Sequence, residues 1–285
     1  MNLALWKKTI GESRWLLAGS LVFMFIVHWL RVWIASFFST QAMEGIFSFM
    51  PIEVEGLLPV TYTQMATTAG RIAIGYDDPI VLLLVTVWAV SRGSDAVSGE
   101  LNRGTMEMVL AQPVTRLGVL TSQALVTLIG AALLAGAALL GTYVGLATIT
   151  LDQPAETKVF IPAALNLFAI TVFLAGLSTM VSAGTNYRAR TIGIVGGIYA
   201  VSMVVKIVGR VAKGWEWLTY CSFFTPFEPQ LLVGDRNRAW TFWVRVGDSF
   251  ALGGLGYASI LIGLGLLFYV IAAAIFCRRD LPAPL

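Results

Sequence analysis

Leu117-Gly-Val-Leu-Thr-Ser-Gln-Ala-Leu-Val-Thr-Leu-Ile-Gly-Ala-Ala-Leu-Leu-Ala-Gly-Ala-Ala-Leu-Leu-Gly-Thr-Tyr-Val-Gly-Leu-Ala147 decides the fold. It holds no charged residue, and the next one downstream is Asp152. In hydrocarbon a backbone must satisfy its own N–H and C=O groups, so a run this long and apolar reads as a membrane-crossing helix. A bilayer core of ~30 Å takes about 20 residues, so part of this run must protrude or the helix must tilt. Working outward, the same test finds five further spans, over 15–38, 79–97, 160–181, 191–211 and 249–277. The second is the weakest, because Arg92 and Asp95 shorten its apolar core and require its lower end to reach water. Composition agrees: of 285 residues 57% are apolar and 12% charged, against roughly a quarter charged in soluble domains. The predicted fold class is an all-α, polytopic membrane protein of six transmembrane helices.

Orientation follows from Lys and Arg in the short connections. Lys7, Lys8 and Arg14, then Arg92, Arg103 and Arg116, then Arg188 and Arg190, then Arg278 and Arg279 all fall on one side. This predicts cytoplasmic termini, with outer loops at 39–78 and 212–248 and a cytoplasmic tail at 278–285. Residues 1–14 place Leu3, Trp6 and Ile10 on one helical face and Lys7, Lys8 and Glu12 elsewhere, as in an amphipathic helix lying on the membrane surface. The alternative is an extension of the first span. The six-helix domain then covers 15–277.

In the first outer loop, Met65, Ala69, Ile72 and Tyr76 follow helical spacing and predict a short amphipathic helix. The second outer loop is dense in Trp, Tyr and Phe, which suits an interfacial belt or a re-entrant hairpin broken at Pro226 and Pro229. His28, Arg31, Lys206 and Arg210 lie toward the outer leaflet, where long basic side chains can snorkel to water. Asn166 is expected to bond across helices. The pairs Gly141 with Gly145 and Gly193 with Gly197 permit close helix approach, within one subunit or between two.

The residue inventory excludes much chemistry. With one histidine there is no His-Glu-x-x-His zinc site, and with two cysteines no zinc finger or disulfide framework. The chain contains no Gly-Lys dipeptide, so the phosphate-cradling loop of many ATPases is missing. No catalytic residues, metal ligands or cofactor site are expected in this chain, and no nucleic-acid partner. The nine Met residues are scattered and read as packing.

One connection carries a signal. Between the second and third spans runs Asp95-Ala-Val-Ser-Gly-Glu-Leu-Asn-Arg-Gly-Thr-Met-Glu-Met-Val-Leu-Ala-Gln-Pro-Val-Thr-Arg116. Gly104 can break the preceding helix, Thr105 can cap a new one with its hydroxyl, Glu107 then sits in the first turn, and Pro113 stops it. The resulting helix over 105–112 would be about 12 Å long. Met106, Val109 and Leu110 share one side, whereas Glu100, Arg103 and Glu107 mark a charged stripe. Such a helix suits docking into a groove on a soluble partner, or resting on the membrane surface.

The segment resembles the coupling region of the type-2 ATP-binding-cassette (ABC) transporter permeases. The matching positions are Glu100, Gly104, Thr105, Glu107, Pro113, Val114, Thr115 and Arg116, with Asp95-Ala-Val-x-Gly-Glu100 upstream. Six spans, inside termini, a large loop before the last span and the closing Arg278-Arg279-Asp280 extend the likeness over nearly the whole chain. Ser122-Gln123 departs from the Gly-Lys often found early in the third helix. The resemblance implies a permease without its own nucleotide site, two copies of which pair in the bilayer above two cytoplasmic ATPase subunits that hold ATP and Mg. It implies alternating access, export more than import, residence in a bacterial inner membrane, and a coupling helix within 100–116. In it Glu100, Glu107 and Arg116 would make polar contacts with the ATPase, Met106 and Val109 would anchor it, and Gly104 and Pro113 would set the turns. The competing classes are a non-transporting membrane anchor or sensor that recruits a cytoplasmic protein, and an ATP-independent channel or carrier.

Overall fold

The computed structural model describes residues 3–49, 61–212, 214–246 and 249–279. Thus parts of both predicted outer loops (50–60, 213, 247–248) and the tail from 280 onward lie outside the described residues. In chain order the helices are α1 (Leu3–Ser36), α2 (Thr40–Ser48), α3 (Tyr62–Ala66), α4 (Thr68–Ala73), α5 (Pro79–Ser94), α6 (Glu100–Asn102), α7 (Met106–Leu110), α8 (Arg116–Thr148), α9 (Ile161–Gly184), α10 (Arg188–Val211), α11 (Pro229–Gly234), α12 (Arg236–Ala239) and α13 (Gly254–Arg278). A π turn, Asp95–Gly99, joins α5 to α6, and 3-10 turns occupy Ile74–Asp77, Thr157–Phe160 and Glu216–Cys221. Six helical stretches, built around α1, α5, α8, α9, α10 and α13, are long and apolar enough to cross a membrane.

The starts of these helices are written in local chemistry. Asp78 caps α5, its carboxylate accepting from the Ile80 N–H at 2.8 Å, and Pro79 fills the first turn, where its missing N–H costs nothing. Thr115 caps α8 by accepting from the Gly118 N–H at 3.0 Å. Pro162 sits in the first turn of α9.

Helix α9 is the most enclosed of the six and packs against α5, α8, α10 and α13, while α1 lies along α8. Gly141 and Gly145 serve that α1–α8 contact: a Cβ on either would run into the Phe25 carbonyl or the Val32 side chain. Gly193 and Gly197 face open space on α10, which is buried along little of its length.

Several expectations are revised. The N-terminal segment is not a separate surface helix, because α1 runs unbroken from Leu3 to Ser36, with no proline to stop it. The predicted outer helix is split at Thr67, whose extended backbone and side chain cap α4, and its residues Ile72 and Tyr76 are buried in the bundle. The last span begins at Gly254, since Ser249–Leu252 is a strand paired antiparallel with Trp243–Val246, a small departure from an all-α chain. Nor do the basic residues simply reach for water. Lys206 donates to the Phe224 and Phe227 carbonyls at 2.8 and 3.0 Å and pairs with Glu228 at 3.0 Å. Arg210 also pairs with Glu228, and Arg31 with Asp78. His28 is buried edge-on against Tyr76, with ring centroids 4.6 Å apart. Asn166 bonds to a loop, not a helix: its amide donates to Pro226 O at 2.9 Å and accepts from Glu228 N–H at 3.0 Å. That bracket holds the aromatic loop, in which Phe224 and Phe227 are buried and Trp215, Trp217 and Tyr220 are exposed.

Candidate functional site: the 95–116 segment

The chain leaves α5 through a π turn, which widens the helix and turns backbone groups off their usual partners. Two of those in Asp95–Gly99 are caught by α9. The Ser182 hydroxyl accepts from the Val97 and Ser98 N–H groups at 3.2 and 2.9 Å and donates to Ser94 O at 3.0 Å. The Ser98 hydroxyl lies 2.9 Å from that of Thr191 on α10. Val97, Ser98, Ser182 and Thr191 are fully buried, so these bonds are unscreened.

Beyond the π turn, Glu100 is 1% exposed. A carboxylate so enclosed must be paired. It accepts from Lys8 Nζ at 2.7 Å, from Arg103 at 3.2 Å and from the Thr105 hydroxyl. The pair with Lys8 fastens the start of α1 to the segment. Burial alone would lower the Arg103 pKa, but its 2.6 Å hydrogen bond to Asp95 and the charges of Asp95 and Glu100 outweigh this and raise it.

Gly104 then turns the chain with φ of +69°, a conformation that a side chain resists. The helix that follows, α7, spans Met106–Leu110. Met106 points inward, 1% exposed, into a cluster with Ala96 and Val97, Leu120 of α8, Ala183 of α9, and Ala272 and Phe276 of α13. Glu107 and Met108 point outward, and Met108 is 65% exposed. Past Pro113 the chain enters α8, where Arg116 donates to the carbonyls of Phe276 at 3.1 Å and Arg279 at 2.5 Å and lies over the Phe276 ring. Arg279 in turn donates to Ala183 O and Thr185 O. Both ends of the segment, the start of α1 and the end of α13 therefore gather at one end of the bundle.

A stretch with one face fastened to five of the six spans and the other face bare can receive a load from outside and pass it into the bundle. A family model described as ABC-2 family transporter protein matches residues 6–281, nearly the whole chain. The chain belongs to the ABC-2 transporter permease family. It is an integral membrane protein, and members of the family are the membrane subunits, not the ATPase. No curated protein matches the chain.

Against this family frame, the motif residues divide into two groups. Glu107, Gly104 and Pro113 lie on the surface, with Val109 partly covered. Glu100, Met106 and Arg116, expected from the sequence to face a partner, are engaged inside the chain. Glu100 holds Lys8, Arg103 and Thr105, Met106 fills the cluster under α7, and Arg116 holds the end of α13. The Thr105 hydroxyl does not cap α7, because it is committed to Glu100. The helix is also shorter than 105–112: Ala111 and Gln112 form a turn, with Gln112 N–H on Val109 O, ahead of Pro113. Sequence reasoning missed Met108, the exposed apolar residue of α7. Amphipathic spacing placed Met106, Val109 and Leu110 together but could not say that this side faces the bundle. It also missed Lys8 and Ser182, whose roles come from partners 92 and about 85 residues away.

Proposed function

We propose that this chain is the transmembrane half of a transporter driven by separate cytoplasmic ABC ATPase subunits, and that the ATPase docks on α7. The observation that carries this reading is the division of α7 itself: Met106 is sealed into the bundle while Glu107 and Met108, next to it, stand bare. Glu107 offers the charged contact and Met108, with the partly covered Val109, the apolar one. Gly104 and Pro113 hold the turns, and Glu100, Thr105, Met106 and Arg116 brace the segment from behind.

On this reading two copies pair in the membrane, ATP and Mg are bound by the ATPase, and closure of the ATPase dimer moves α5 and α8 between inward-open and outward-open arrangements. Both termini face the cytoplasm of a bacterial cell, the protein resides in its inner membrane, and the direction is export. The basic residues gathered at one end of the bundle and the family membership support these assignments.

Glu107→Lys is expected to leave the subunit folded and inserted but to abolish the stimulation of ATP hydrolysis by substrate and the transport that depends on it. Coupled transport at the wild-type rate in that variant would refute the docking assignment. A cysteine at Met108 should crosslink to a soluble ATPase in cells. An anchor or sensor subunit would crosslink to a protein without ATPase activity, and a channel or carrier would move its solute in vesicles without ATP.

A further inference from the structure

Beside the 95–103 segment a half-open cavity of about 370 Å³ is lined by Glu12 and Leu16 of α1, Ser91 and Arg92 at the end of α5, Asp95 of the π turn, Arg103, and Arg188 of α10. Its charges do not balance. Three guanidiniums share the Asp95 carboxylate, Arg103 at 2.6 Å and Arg92 and Arg188 each at 3.7 Å. Glu12 pairs with Lys8 at 3.7 Å. Arg188 has other acceptors, the Ser94 and Ser91 hydroxyls at 3.3 and 3.2 Å, and Arg103 has Glu100. Arg92 does not. It is 3% exposed, and among the described residues its one ion pair is the long contact of Nη1 to Asp95 and its Nε and Nη2 find no acceptor.

A guanidinium enclosed without acceptors is costly, since its lost hydration is not replaced. A ligand that brings several acceptor oxygens and negative charge into this cavity would meet Arg92 at Nη1, which makes only the 3.7 Å contact to Asp95, and would place countercharge beside Nε and Nη2, which are themselves closed off from the cavity. A carboxylate offers two oxygens; a phosphate group offers three or more in a geometry that arginine forks match, and can bridge guanidiniums that one planar carboxylate cannot. The space is ample against the ~30 Å³ of a water molecule, so a partly hydrated phosphate or a phosphate-bearing headgroup fits.

We propose that this cavity is a phosphate-binding site, with Arg92 as its principal ligand and Arg188 and Arg103 as flanking ligands. The group comes either from a free anion or from an anionic lipid headgroup. The site stands whether or not an ATPase docks on α7.

The test follows the thermal unfolding midpoint of the purified chain in a neutral detergent. One arm titrates inorganic phosphate against sodium chloride at matched ionic strength, and the other adds phosphatidylglycerol against phosphatidylcholine. A saturable rise with inorganic phosphate supports the site and a free anion, and a rise with phosphatidylglycerol alone supports the site and a headgroup source. No rise beyond the chloride and phosphatidylcholine controls overturns it. Arg92→Gln is expected to abolish the response, while Arg190→Gln, on the exposed side of α10, keeps it. If Arg92→Gln cannot be purified, Arg103→Gln serves, its side chain being 40% exposed; losing one charge-assisted contact should weaken the apparent affinity about tenfold. An unaltered response in either variant also refutes the assignment.

Discussion

Replacing Ser182 by alanine removes one oxygen and leaves the shape of α9 unchanged. The oxygen lost is the acceptor for two amide N–H groups, those of Val97 and Ser98, at 3.2 and 2.9 Å, and the donor to Ser94 O. No water reaches the site, because Ser182 and Ser98 are fully buried. Each buried donor left without an acceptor costs about 1–3 kcal/mol. Local rewinding of the π turn would recover part of that, so the expected loss is about 2–4 kcal/mol. Ser178→Ala is the matched control. It lies one turn earlier on α9, equally buried, but its hydroxyl makes a single 3.3 Å bond to Val90 O, so about 0.5–1 kcal/mol is expected. Unfolding of the two variants by sodium dodecyl sulfate in mixed micelles, read by tryptophan fluorescence, gives the difference directly. Hydrogen exchange at the amides of 97 and 98 should accelerate in Ser182→Ala alone. If the two variants lose the same stability to within about 0.5 kcal/mol, the hydroxyl does not hold the π turn and the account of the segment's anchorage fails.

Asn166→Ala should free the Pro226–Glu228 turn, and limited proteolysis within 222–230 is expected to quicken while the spans stay protected; unchanged cleavage would show that Lys206 and Arg210 suffice. Gly141→Val places a branched side chain against the Phe25 carbonyl and His28, and should cost about 1–3 kcal/mol in detergent unfolding. Gly193→Val, facing open space, should cost less than about 0.5 kcal/mol, and a loss of self-association without a loss of stability would place the pairing surface on α10. Asp152 accepts from the Thr40 N–H at 2.8 Å, which holds its carboxyl below the usual range. A depressed folded value means that the tether is fully present above the unfolded pKa and fades as pH falls through the folded one. Protection of the Thr40 amide, its exchange measured relative to the intrinsic rate at each pH, should therefore fall only below about pH 4, and Asp152→Asn should remove that pH dependence.

The six spans were legible because membrane insertion reads only length and apolarity, properties local to each stretch. Their ends were less so. The strand at Ser249–Leu252 is as apolar as the helix after it, and nothing in hydropathy separates the two; Gly253 and Gly254, which permit the change of backbone, were the available sign. Within the 95–116 segment the turn residues were legible, since Gly104 and Pro113 act through their own backbones. The direction in which each side chain points was not. Glu100 looks like a surface acid until Lys8 is brought to it from 92 residues away, and Met106 looks like a partner anchor until Phe276 closes over it. Charge and amphipathicity give two faces of a short helix; only tertiary packing says which one is covered.

Under the proposed function, the pattern of anchorage decides which helices must follow α7 when it is pushed. Met106 ties it to the π turn that continues α5 and to α8, α9 and α13, Ser182 fixes the π turn to α9, and Lys8 adds α1 through Glu100. Interlocked side chains and the Ser182 bonds join four of these helices at the loaded end, and a partly exposed ion pair joins α1, so a displacement there cannot be absorbed by one of them alone. Helix α10 is joined differently. Near one end Thr191 meets Ser98 and Arg188 meets Ser91 and Ser94; near the other Lys206 and Arg210 meet Glu228; between them Val195 is its one fully buried apolar residue. Polar clasps at two ends with little packing between make a helix that can pivot at small cost, whereas interlocked side chains resist sliding. The relative motion that opens a path for cargo would therefore fall between α10 and the other five, with the Glu228 clasp as the contact that must release on the far side.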